Sequence, residues 1–431
     1  MVSASVSRQS SVASSRPASP SSSWTTELLE HLRAEANPSD RQAHALQALA
    51  AHPWPSRKQE NWRFTDLTPL QALAPRRLMA PGPAAAALPV SSSSARVVLR
   101  LDGETNPFET LTLPEGLTPI PEPELTSLLS SVVETTGCPD HWPVLLNSAM
   151  APPVAALRVS GSIAPVIELV SDAGSGHGVL PLRILLILEE GASLQLLQIH
   201  RSDGPNLTSV LVEASLGAGS HLHHGLLAKG SGESVLLSHL TVAQDKDSQL
   251  TQTTISSGWA LARNEPRILQ TTGMASTRLR GLQLAQGREI ADSHCQVRFG
   301  GPEGRLDQLH KSVADGAGRS LFHGGVEVPR QAQRTDAVQM SRNLLLSDRA
   351  RIDTQPQMEI VADDVKCAHG ATVARLSEDE LFYLQSRGIA APQAARLLLR
   401  GFCEEVLEEL PGPARSWNPL GAWFDQEAND R

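Results

Sequence analysis

Cys367 and His369 stand two residues apart in the run Val365-Lys366-Cys367-Ala368-His369-Gly370-Ala371-Thr372. On a strand, residues i and i+2 share a face, so thiol and imidazole would point the same way. These are the two ligand types that suit iron and iron–sulfur species. A thiolate can also carry sulfane sulfur as a persulfide. One Cys and one His do not complete a metal site, so a cluster held here needs ligands from another chain. The competing reading is a buried thiol packing as a small hydrophobe, with the imidazole bonded to backbone.

A second group is His221, His223 and His224. On a strand His221 and His223 share a face and form a metal pair. The third ligand would come from a neighbouring coil, His200 or His239. His294 and Cys295 are a weaker pair, and Asp307, His310 and Lys311 receive no role. The sequence holds no GxxxxGK[ST] loop and no G-x-S-x-G elbow, so any ATP used is bound by another chain. Carboxylates at a steady coil spacing, which a polysaccharide-cleaving solenoid needs, are also missing.

The 431 residues provide for two or three domains and a sizeable core. A net charge of −9 excludes the basic footprint of a general nucleic-acid binder. Aromatic residues make up only 3%, with one tyrosine, so Leu, Val, Ile and Ala must fill the core. Cys138, Cys295, Cys367 and Cys403 form no CxxC pair, and few scattered thiols fit a reducing compartment. No apolar run reaches membrane-spanning length; Ile184–Leu188 reads as a buried strand.

The elements that must position these residues follow a change of period. Residues 1–23 are Ser-rich, with Arg8 and Arg16. They read as a disordered tail, with a plastid or mitochondrial transit segment as the alternative. Residues 24–75 read as a helical domain, with Ser39 and Gln42 as a capping box. Residues 76–95 are a Pro/Ala/Ser-rich linker. Residues 96–376 read as a β core of short apolar runs cut by turns, with a helix around Leu125–Val133. Within it Leu194, Leu222, Leu250, Leu279 and Leu306 recur about every 28 residues, each after a turn-like cluster. Stacked units of this size predict a β-solenoid. Residues 377–431 return to helix: Ser377 and Glu380 form a capping box, and Gly388 is a C′ stop. Leu398, Phe402, Val406 and Leu410 then form an apolar stripe. Glu404, Glu405, Glu408 and Glu409 beside it read either as a solvated face or as a partner-docking surface.

Several segments together resemble one known family. Lys366 to Val373 is similar to its Lys-Cys-Ser-His-Gly-Ala-Thr-Val-Gly motif, departing at Ala368 and Ala374 without losing a ligand. Arg342–Ile360, Gly324–Val328 and Ala332–Ala337 stand in family order. Glu60-Asn61-Trp62-Arg63-Phe64-Thr65 resembles the Glu-x-Trp-Arg-(Tyr/Phe)-Thr signature near the start of its members. The two aromatics there read as a clamp closing a small domain. The family is the SufB/SufD scaffolds of SUF iron–sulfur cluster assembly. SufB proteins carry a cysteine in the block that is here Leu344-Leu345-Leu346-Ser347-Asp348, so the resemblance is to the SufD branch.

That resemblance implies a mainly β protein, a right-handed β-helix with helical N- and C-terminal parts. It implies a non-catalytic scaffold that pairs with a SufB-like subunit through the C-terminal end of the β-helix. A SufC-like ATPase would dock near Phe382, Tyr383, Arg387 and Phe402. His369 takes the family's role in cluster assembly and is a transient metal ligand; Cys367 shares the interface. A nascent iron–sulfur cluster is the cargo, ATP enters only through the ATPase, and sulfur comes from a cysteine desulfurase system. A reduced flavin on the complex and a homodimer of the lone chain are left open. Cytoplasm is the expected location, or plastid stroma if residues 1–23 are a transit segment. The rival reading is a self-contained metal-binding β-solenoid built on His221–His224.

Overall fold

A computed structural model describes residues 20–35, 38–78, 95–109 and 112–424. The tail call therefore falls mostly outside the described residues, as does most of the linker, 79–94. From Arg96 to Ala374 the chain winds into a solenoid of two nine-stranded sheets. Pairing is parallel except where the short strand Leu117–Pro119 meets Val154–Val159. From Val154–Val159 onward successive strands alternate between the sheets, so each coil contributes one strand to each. The β-solenoid expectation holds.

The register shows what the repeat is made of. Leu194, Leu222 and Leu250 are direct neighbours, one above the other, as their spacing predicts. The next residue in the column is Thr277, not Leu279, followed by Leu306, Ala337 and finally Cys367. Leu279 lies two positions along, beside Gln252. Both Thr277 and Leu279 are buried. A two-residue slip keeps the same face of a strand, so apolar pattern alone does not separate the two.

Strands such as Gly178–Leu188 are buried on both faces. Inward residues Leu182, Ile184 and Leu186 fill the solenoid core. The outward face of their sheet, including Val179, Leu207, Val235 and Leu261, is covered by helices from the N-terminal region and by the helix Trp142–Met150. This explains the uninterrupted apolar run at Ile184–Leu188. Two helices, Glu122–Leu128 and Ser131–Thr135, stand where one was expected around Leu125–Val133, and Trp142–Met150 follows them.

The N-terminal helices Pro20–Ala34 and Asp40–Ala51 form a cap with a tryptophan cluster. Trp54 lies 5.6 Å from Trp24 and 5.1 Å from Trp142 between ring centres. The first helix begins at Pro20, ahead of the boundary read at 24. The Glu60–Thr65 motif is a clamp through Trp62, which closes the cap onto the solenoid, while Phe64 is exposed and takes no part in it. Trp62 lies 3.8 Å beneath the Arg263 guanidinium, and the Asn61 carbonyl accepts from Arg263 at 2.9 Å. Thr65 donates to Asp292 at 2.6 Å, and Arg263 binds Asp292 at 2.5 Å and Glu265 at 2.6 Å.

At the other terminus, the helix Ala391–Leu407 lies on the outward face of the second sheet. Leu399, Cys403, Val406 and Leu407 pack there against Leu227, Ile255, Leu282 and Val313. Gly225 lets the chain come this close: a Cβ there would sit 2.7 Å from Pro411 Cδ. Three of the four glutamates at the end of this helix are paired, and Glu408 is exposed. Glu405 pairs with Lys311 at 2.5 Å and Arg342 at 3.6 Å, Glu409 with Arg278 and Arg280 at 3.7 Å, and Glu404 with Arg415 at 2.7 Å. Glu405 and Glu409 fasten the helix end to its own solenoid, and Glu404 ties it to the segment that follows.

Candidate functional site at the open end of the solenoid

The strands Arg351–Ile360 and Lys366–Ala374 are the last of their sheets, each with a neighbour on one side only. Their other edges expose backbone N–H and C=O groups, the usual template for strand pairing with another chain. Cys367 and His369 lie on Lys366–Ala374. Their register partners, Ala337 and Gln339, are buried, which puts both side chains in the inward-facing row. Cys367 still packs against the solenoid core, while His369 is exposed. In earlier coils these positions are buried because another coil follows; here none does. The sequence expectation that the pair shares a face holds.

Desolvation at this half-buried position pushes the Cys367 thiol above its ordinary range; an Ala337 backbone hydrogen bond opposes the shift and Asp336 adds to it. At neutral pH the thiol of the lone chain is therefore mostly protonated, and a metal or a cationic partner group would have to draw out the thiolate. The other three thiols are buried deeper, and burial raises Cys138 to about 11 and Cys295 and Cys403 to about 12.

Behind His369 runs an inward column of His224, Gln252, Leu279, Gln308 and Gln339, whose three glutamines sequence reading did not single out. Gln339 donates to Gln308 at 2.8 Å. Their signal was in the sequence, amides where the upstream coils carry leucine, but only the register gives it meaning. The Arg342–Asp348 block secures the last coil. Asn343 donates to the Thr372 carbonyl and to Ser341, both at 2.9 Å; Ser347 donates to the Gly316 carbonyl at 2.8 Å; Asp348 binds Arg375 at 2.6 Å.

The helix Glu378–Ser386 follows directly, with Ser377 as its N-cap accepting from the Glu380 amide, and it buries no residue. Phe382 is 73% exposed and Tyr383 59% exposed. Arg387 stacks on Tyr383 at 5.3 Å. Phe402 is different: it is partly buried in the cluster under the neighbouring helix, with Lys311 Nζ 4.4 Å from its ring. Phe382, Tyr383 and Arg387 thus form one exposed group, and Phe402 lies apart from it in the packing.

The histidine run does not assemble a metal site of the kind expected. His221 and His223 do share the outward face, but His223 hydrogen-bonds the Glu409 carbonyl at 2.8 Å. His200 is buried and bonded to Ser171 at 2.7 Å, and His239 lies on the opposite sheet. His294 sits 3.1 Å from Asp292 and stacks on His323, while Cys295 points into the core. Asp307 pairs with Arg280 at 2.7 Å and His310 stacks on Phe322 at 4.2 Å, both structural roles.

Residues 170–402, more than half of the chain, match the profile described as "SUF system FeS cluster assembly, SufBD core domain". The chain is 34% identical to an iron–sulfur cluster assembly SufBD family protein of Synechocystis, over 53% of each chain. It is 29% identical to the chloroplastic protein ABCI7 of Arabidopsis thaliana, over 93% of this chain and 86% of that one. It is 28% identical to the iron–sulfur cluster assembly protein SufD of Escherichia coli, over 91% of this chain and 94% of that one.

Proposed function

The chain belongs to the SufBD family of iron–sulfur cluster assembly proteins, and from that premise we propose that it is a non-catalytic scaffold subunit of the SufD type. The observation that carries this reading is the uncovered last coil, with two edge strands and an inward row containing Cys367 and His369. A SufB-like subunit closes the open end, completing the ligand set that one thiol and one imidazole leave unfinished. His369 is the ligand this chain lends to the nascent cluster, and Cys367 lies beside it as a second ligand or sulfur carrier. The cluster is cargo, delivered onward to a target protein.

The exposed Phe382, Tyr383 and Arg387 supply the contact for a SufC-like ATPase, with Phe402 supporting the adjoining helix from within. ATP is used by that partner and sulfur arrives through a cysteine desulfurase system. A reduced flavin on the complex is not held by the turns at Gly191 and Gly219. The amides of Gly191 and Gly219, which could face a pyrophosphate, already donate to the Ala218 and Lys246 carbonyls. No step is assigned to it. No helix among the described residues is long and apolar enough to cross a membrane. We place the protein in the cytoplasm, with the plastid stroma as the alternative suggested by the name of the Arabidopsis relative.

The test is His369→Ala in a complex co-expressed with SufB-like and SufC-like partners. The expected outcome is a complex that still assembles but matures an iron–sulfur target at least tenfold more slowly. Normal assembly with normal maturation would remove His369 from the site.

A further inference from the structure

Away from the open end, the described residues gather one trio of side chains able to hold a cation: His141, His239 and Glu265. His141 caps the helix Trp142–Met150, on the helical side of the seam. His239 and Glu265 are register neighbours on the adjacent strands Val235–Gln244 and Leu261–Gln270, facing it from the solenoid. The three ligand atoms lie within 4.8 Å of one another. Glu265 Oε2 is 3.6 Å from His141 Nδ1 and 3.8 Å from His239 Nδ1. Ligands bonded to a first-row ion at about 2.1 Å in a tetrahedral array stand about 3.4 Å apart. Only a small closure separates this trio from that arrangement.

The hydrogen-bond network points to a cation. His239 is fully buried, yet its Nδ1 has no hydrogen-bond partner. Its Nε2 lies 3.4 Å from Cys138 Sγ, and the Cys138 thiol donates to the Val133 carbonyl at 3.6 Å. With that hydrogen committed, the sulfur accepts from Nε2–H, which leaves the lone pair on Nδ1. Arg263 and Arg267 pair with the Glu265 carboxylate at 2.6 and 3.0 Å. A lone pair therefore faces a carboxylate oxygen with no hydrogen between them. Neutral imidazole and ionised carboxylate are the protonation states that metal binding requires. Arg263 and Arg267 are balanced by Glu265 and Asp292, so these four groups carry no net charge.

We propose that His141 Nδ1, His239 Nδ1 and Glu265 Oε2 bind one divalent first-row transition-metal ion, pinning the helical cap to the solenoid. Two imidazoles and one carboxylate with positions left open suit Zn²⁺ or Fe²⁺. Cys138 fixes the His239 ring from behind, the outer-shell role usual for ligating histidines. A cleft of about 270 Å³, lined in part by Trp62, Asp140, His141 and Glu265, gives the ion its path.

The full chain, stripped by a chelator, is titrated with Co²⁺ and followed by its visible absorption, and Zn²⁺ uptake is measured by elemental analysis. The expected result is one ion per chain, weakened at least tenfold by His141→Ala and by His239→Gln, with circular dichroism unchanged. A Cys367→Ser/His369→Ala variant keeps the ion, which separates this site from the open end. His141 is half-exposed, so its variant decides the matter even if His239→Gln misfolds. The proposal is overturned if the wild type takes up no ion, if His141→Ala binds like the wild type, or if binding is lost only with Cys367 and His369.

Discussion

Cys367 and His369 owe their chemistry to position as much as to type. In the coils from Ser193 onward the same two places are occupied by Leu, Thr or Ala and by His, Gln or Leu, all covered. Glu289 shows the same effect of desolvation at a more deeply buried position. It is largely buried, accepts from the Gln286 amide at 2.9 Å, and its carboxyl is raised to about 7 because desolvation outweighs that bond. The folded state thus holds the proton more tightly than the unfolded chain. The resulting stability is fully present below the unfolded value near 4.5 and is lost as pH rises through about 7. Urea unfolding at pH 5 and pH 8 should show Glu289→Gln losing about 2–3 kcal/mol less than the wild type over that interval. Equal losses in the two proteins would show that Glu289 titrates normally.

At the scale of elements, the decisive joint is the seam between cap and solenoid. The Glu60–Thr65 motif was readable as a clamp only in part, since Trp62 packs on the solenoid and Phe64 stays exposed. Its receptor was not readable: Arg263 and Asp292 lie on different coils and meet only through the register. Removing Arg263 leaves Glu265 and Asp292 buried with a principal counter-charge gone. Arg263→Ala should therefore cost about 3–5 kcal/mol in chemical unfolding, far beyond the loss of its packing. A cost under about 1 kcal/mol would mean that the seam is held by the tryptophan cluster alone. The same principle explains the acidic C-terminal helix. Its glutamates looked solvated or partner-facing because Arg278, Arg280, Lys311 and Arg342 reach them from outward positions on three different coils.

At the scale of the molecule, a solenoid needs something at each end of its stack. Its architecture was legible because each coil repeats one apolar column, true at Leu194, Leu222 and Leu250 and slipped by two at Leu279. The Cys367–His369 pair was legible because local spacing on one strand suffices to put both on one face. The trio His141, His239 and Glu265 was not, since its members are remote in sequence and no local spacing joins them. The C-terminal end stays open, with Val373 45% exposed in the inward row and the edges of both sheets unpaired. A scaffold that shares its cluster site with a partner should present such an end, and the partner should close it.

Amide hydrogen exchange across Lys366–Ala374 and Arg351–Ile360 measures that closure directly. The lone chain and its complex with a SufB-like subunit would be compared at equal pH and temperature. The account predicts that amides on these two strands slow by at least tenfold in the complex, while those of Gly178–Leu188 do not change. A stable complex that leaves both edge strands exchanging as in the lone chain would contradict it.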